Sequence, residues 1–211
     1  MSEVTFLTTP STFSPLNFVY ERPYQRVSEV RTETGRFPLP RINYDDLYEV
    51  NESTFEMSSV ATRSLEKYIK DCYFARTVRN CHQFAMHMAG VTVNYRQAMI
   101  RLDRQLRQNT QLAETTQPGD IVTIAHPKYS FHDHGGICIA HSMLVLDETH
   151  VLQLAGLGGP LGIATQADVL QEYQSMTLNI DPKYWLTAPP TTASDVQIYQ
   201  TGLNANYPSG F

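Results

Sequence analysis

Cys81, in the string Asn80-Cys81-His82-Gln83-Phe84, stands where a helical pattern begins, and His141 lies much later inside a strand pattern. A cysteine is a good nucleophile only as thiolate. The unpaired N–H groups and dipole of a helix start favour that anion, so Cys81 is expected to carry a lowered pKa. A histidine within hydrogen-bond reach can take the thiol proton and later protonate a leaving amine, while a third polar group fixes the imidazole tautomer. Cys81, His141 and Gln153 are the residues expected in those roles, and the chemistry they predict is hydrolysis of an amide or ester bond.

The elements that must position them can be read from periodicity. Apolar residues at helical spacing (Leu65, Tyr68, Ile69, Cys72, Tyr73) predict a first helix over 59–79. Cys81 opens a second, with Phe84, Ala85 and Met88 on one face and Gly90 in the terminating position. A third spans 95–108 with Ala98, Met99, Leu102 and Leu106 inward. After Pro118-Gly119 the pattern alternates, predicting strands over 120–126, 136–146 and 151–154. The stretch 156–162 reads as a Gly-rich loop and 166–176 as a short helix. Candidate late strands are 177–180, 184–187 and 196–199. Helices followed by short consecutive strands predict an α+β fold, an N-terminal helical half packed on a mainly antiparallel sheet.

A three-residue loop at Asp147, Glu148 and Thr149 would place Leu146 opposite His150 and Met143 opposite Gln153. His141 and Gln153 then share a sheet face as diagonal neighbours, ~7–8 Å apart at the backbone. A four-residue loop would turn Gln153 away.

With these motifs in hand the chain resembles the NlpC-type cysteine peptidases and amidases, compact relatives of papain. That family has a helix-starting Cys, a Pro-Gly-Asp-type strand start, a strand His, a short turn and a polar third residue. Here these elements look like Cys81, Pro118-Gly119-Asp120, His141 and Gln153, followed by a Gly-rich loop over 155–162. The resemblance covers 80–165. Family members usually carry Asp-Cys-Ser-Gly where this chain has Asn80-Cys81-His82-Gln83, Gly-His-Val in place of Ala140-His141-Ser142, and His in place of Gln153. The resemblance implies a papain-like catalytic domain over 59–211 that cleaves peptide or protein amides by acyl-enzyme chemistry. It also implies an upstream tyrosine, Tyr68 or Tyr73, helping the Cys81 N–H hold the oxyanion. Glutamine deamidation of a host protein uses the same chemistry and is the nearest alternative.

Composition sets bounds on the rest. The 211 residues are 42% hydrophobic, 18% charged and 10% aromatic, as in a folded globular chain. A net charge of -5 gives no basis for binding nucleic acid, although Arg96, Arg101, Arg104 and Arg107 form a local basic stripe. Three cysteines are too few for a disulfide scaffold and leave at least one thiol free; Cys72 and Cys138 read as core residues. Residues 1–58, with Pro10, Pro15, Pro23, Pro38 and Pro40, read as an irregular arm: its aromatics suggest packing against the domain, while the first fifteen or so residues equally read as a flexible export or docking tail.

No membrane span and no cleaved leader are expected. With the resemblance, this suggests a bacterial effector made in the cytoplasm and secreted by a specialised machine to act on cell-wall peptide or a host protein. A secretion chaperone or an immunity or inhibitor protein would be its partner. No cofactor is called for. A rival metal reading uses His126, His132, His134, Cys138 and His141, but neither His-Glu-x-x-His nor a paired Cys-x-x-Cys is present. His82 and His87 read as surface groups of their helix. A non-catalytic interaction module that docks through the arm is the reading from a different class.

Overall fold

The structure, a computed structural model, describes residues 1–13, 20–39, 49–73, 80–90, 111–126, 138–154, 160–175 and 196–200. Ten strands are seen among them: β1 (Ser2–Phe13), β2 (Tyr20–Thr32), β3 (Gly35–Pro38), β4 (Asn51–Met57), β5 (Gln111–Ala113), β6 (Ile121–His126), β7 (Cys138–Val145), β8 (His150–Leu154), β9 (Leu161–Thr165) and β10 (Val196–Gln200). They join one sheet in the order β4-β1-β2-β9-β8-β7-β6-β10-β5, with β3 beside β2. Every pairing is antiparallel. Three helices accompany them: α1 (Ser59–Lys67), continued by a π-helical turn (Tyr68–Tyr73), α2 (Cys81–Met88) and α3 (Gln166–Ser175).

The α+β class and the antiparallel sheet match expectation, but the N-terminal half is not purely helical. The segment 1–58, read as an irregular arm, supplies four strands. Val4 and Phe6 alternate inward on β1, and β2 hydrogen-bonds to β1 along one edge and to β9 and β3 along the other. Prolines rule out a long helix but not a strand. Pro10 lies exposed on β1 opposite Gln25, and Pro38 takes the last position of β3. The register slips between Leu7 and Thr8, which leaves Ser28 as an extra residue on β2. That bulge explains why Val27 and Val30, three apart, enter the same core.

The central strands are covered on both faces. On one side α1 and α2 bury Leu65, Phe84 and Met88 against Leu144, Leu146, Leu152 and Leu154. On the other, Val169 of α3 packs with Tyr24, Val122, Met143, Val145 and Val151. Coverage of both faces gives β7 and β8 nearly continuous burial instead of alternation. Ser58 caps α1 by accepting from the Ala61 N–H at 3.1 Å. Glu66, on the buried side of that helix, accepts from Thr32 Oγ1 at 2.6 Å and Thr34 Oγ1 at 2.7 Å, which ties α1 to the β2–β3 turn.

The stretch 156–162, expected as a loop, ends inside β9, where Gly162 pairs with Gln153 on one side and Arg26 on the other. The third predicted helix (95–108), its arginines and the candidate strands 177–180 and 184–187 lie outside the described residues. Among the described residues no helix is long and apolar enough to cross a membrane.

Candidate active site

Asn80, Cys81, His82 and Gln83 form the first turn of α2. The Asn80 side chain accepts from the Gln83 N–H at 2.8 Å, and the Gln83 side chain accepts from the Asn80 N–H at 3.3 Å, a capping box that fixes where the helix begins. The far end closes as expected. Gly90 takes φ +72° and its N–H donates to His87 O at 3.2 Å.

Two turns align the strands behind this helix. Pro118 and Gly119 occupy the central positions of a turn in which the Asp120 N–H donates to Gln117 O at 3.0 Å, and Gly119 supplies the φ of +94°. Asp120 Oδ2 accepts from the Gln117 N–H at 2.9 Å. In the second turn Asp147 Oδ1 accepts from the N–H groups of Thr149 and His150. Burial works against the Asp147 carboxylate, but those two N–H groups and the His150 imidazole hold it below its usual range.

The hairpin register is the expected one, with Leu144 opposite Leu152 and Val145 opposite Val151. His141 and Gln153 therefore share a face, and His141 Nε2 lies 2.7 Å from Gln153 Oε1, both side chains buried. The amide oxygen accepts, so Nε2 carries the proton and Nδ1 is the basic nitrogen of the neutral ring. A bulge precedes the histidine: Ile124 pairs with His141 and Ala125 with Ile139, leaving Ala140 as the extra residue.

The Cys81 thiol is free and buried. It lies among the backbone N–H groups of Ser142, His82 and Cys81 itself. Val145 N–H points to Asp120 on the β6 side and Leu146 N–H to His150 on the β8 side, so strand alternation turns the Ser142 N–H toward β8. The sulfur thus occupies the β7–β8 seam, beside the residue that follows His141. The expected lowering of its pKa is not found. Burial outweighs the three N–H groups and pushes the thiol up to about 11.

His82 is the residue that the sequence misread. It is 7% exposed, and its Nδ1 lies 2.8 Å from Ser142 Oγ. Burial, and secondarily His141, pushes its pKa down to about 4, so the ring is neutral at ordinary pH. The available signal was Met86, one turn later on the same helix face, whose apolar character marks that face as inward. Ser142 shares the α2 side of the sheet with Leu144, whereas His141 and Gln153 share the opposite side with Met143 and Val151.

Tyr68, one oxyanion candidate, packs edge-on against Phe84 in the core with ring centroids 5.0 Å apart. The side chain of Tyr73 lies outside the described residues, as do His132, His134 and the side chains of Cys72, His126 and Cys138. Among the described residues no group of three or more His, Cys, Asp or Glu is placed to hold a metal.

No known protein family, characterised protein or solved structure matches the chain.

Proposed function

We propose that the protein is a cysteine hydrolase of papain-like type, cleaving an amide bond through a thioester. The observation that carries this reading is the pair of contacts at neighbouring positions of β7: the Ser142 N–H on Cys81 Sγ, and Gln153 Oε1 2.7 Å from His141 Nε2. The reaction starts from a neutral thiol. As substrate displaces the surroundings of the sulfur, His141 Nδ1 takes the Sγ proton and the S–C bond forms. The carbonyl oxygen becomes an oxyanion facing N–H groups of the first turn of α2. The imidazolium protonates the departing nitrogen as the C–N bond breaks; water then adds to the thioester with His141 as base, and the acid leaves with Sγ restored. Gln153 holds the ring in the required tautomer throughout.

The substrate class is cell-wall peptide or a host protein, with the chain acting as a secreted bacterial effector. Glutamine deamidation differs only in that the departing nitrogen is ammonia. The two separate in one assay, since peptide cleavage creates a new amino terminus and deamidation releases ammonia. Cys81→Ala is expected to keep the thermal transition and lose all turnover of cell-wall peptides or protein glutamines. Turnover surviving in that variant overturns the reading.

One observation favours a second reading, a binding module without catalysis: at rest, burial holds the thiol protonated. Wild-type protein that binds a partner tightly and shows no Cys81-dependent turnover would establish that alternative.

A further inference from the structure

Cys81 Sγ is held by the backbone of a residue whose side chain is itself tied to α2. His82 Nδ1 meets Ser142 Oγ at 2.8 Å, and the Ser142 N–H donates to Cys81 Sγ. A short ring results. It runs from Cys81 along the helix to His82, across to the Ser142 hydroxyl, through the Ser142 main chain, and back to the sulfur.

His82 is 7% exposed and Ser142 1%, so water is poorly placed to replace either partner. Thr123 lies opposite Ser142 in the β6–β7 ladder, and its buried Oγ1 has no hydrogen-bond partner among the described residues. The Ser142 hydroxyl thus bonds to the helix and leaves its cross-strand neighbour unsatisfied. An orphaned hydroxyl costs free energy, and its presence beside a made bond shows which contact the packing favours.

From this geometry we infer that His82 is a positioning residue, which acts through Ser142 Oγ to hold the Ser142 N–H on Cys81 Sγ. The inference rests on the reading of Cys81 as the reactive thiol. The ring of His82 is neutral, so its influence travels through the hydrogen bond and not through charge. Loss of the bond lets Ser142 drift, weakens the N–H contact that favours the thiolate, and makes the sulfur harder to ionise.

The test is the rate of Cys81 carbamidomethylation by iodoacetamide across alkaline pH, with the label located by mass spectrometry. It uses the full chain as wild type, His82→Leu, Ser142→Ala, their double variant and His82→Asn. Each of the first two substitutions is expected to slow labelling on the order of three- to tenfold at a given pH, the strength of one hydrogen bond. Each should also move the profile to higher pH. The double variant should be no slower than the slower single one, because both break the same bond. His82→Asn, whose amide can occupy the place of Nδ1, should label at near the wild-type rate.

Additive losses in the double variant, or His82→Asn as slow as His82→Leu, overturn the role. If His82→Leu does not fold, His82→Ala takes its place in the single and double variants, and His82→Asn slower than wild type by as much as Ser142→Ala overturns the role by itself. Labelling is read without substrate, so missing turnover leaves the positioning role intact, and additive labelling leaves the hydrolase reading intact.

Discussion

Placing a proton on His82 puts a charge where the protein offers it little solvent. The folded-state pKa of about 4 lies below the ordinary 6.5, so between those values the unfolded chain binds the proton that the folded chain refuses. Stability from this group is complete above pH 6.5 and falls as pH drops toward 4, by on the order of 3 kcal/mol in all. His82→Asn removes the titration, and urea unfolding at pH 7.5 and 4.5 should show a smaller acid loss in the variant than in wild type. Equal losses in the two proteins would mean that His82 is not buried neutral. At this scale the placing of Cys81 at a helix start and of His141 beside Gln153 was legible, because a helix start and a hairpin register follow from spacing alone. The state of the thiol was not. A helix terminus predicts a lowered pKa, and only packing shows that burial is larger.

Among the elements, α2 and the β7–β8 hairpin were readable from sequence because each is bounded by local chemistry. Asn80 with Gln83 is a capping signature three residues apart, Gly90 a helix stop, and Asp147 a turn former. β9 was obscured by its own glycine. Gly162 marks close approach: a Cβ there would come within 2.6 Å of Tyr24 Cδ2 and 3.3 Å of Gln25 O. Since Gly162 pairs with Gln153, the Tyr24 ring and the residue hydrogen-bonded to His141 are neighbours across two strands. Gly162→Ala is expected to displace that ring and lower stability by about 1–3 kcal/mol, read as a reduced denaturation midpoint. A midpoint equal to wild type would show that the ring moves aside freely.

For the molecule as a whole, the segment before residue 58 is part of the core. Val4, Phe6, Val27, Val30, Phe37, Phe55 and Met57 pack in the same cluster as Phe84 and Leu144. At roughly 1.5–3 kcal/mol for each large apolar side chain buried, their removal exceeds the net stability of an ordinary domain. Deletion of residues 1–58 should therefore abolish the cooperative thermal transition seen by circular dichroism. A sharp transition in the remaining chain would show instead that 59–211 folds alone. The α+β class was legible because helical and alternating patterns occupy separate stretches. The place of the first strands was not, because β2 takes β9 as a partner, and no local rule links Tyr24 to Ala164.

That pairing also orders events during synthesis. Strands β1, β2 and β3 can pair as soon as they are made, but the Tyr24–Arg26 part of the second edge of β2 stays open until β9 has been made. Folding of such non-local strand pairs is slow, commonly milliseconds to seconds, because a long loop must close before the contacts form. The nascent chain thus carries an open strand edge for as long as β2 waits for β9, a state in which a chaperone could hold it unfolded and compete directly with the completion of the sheet.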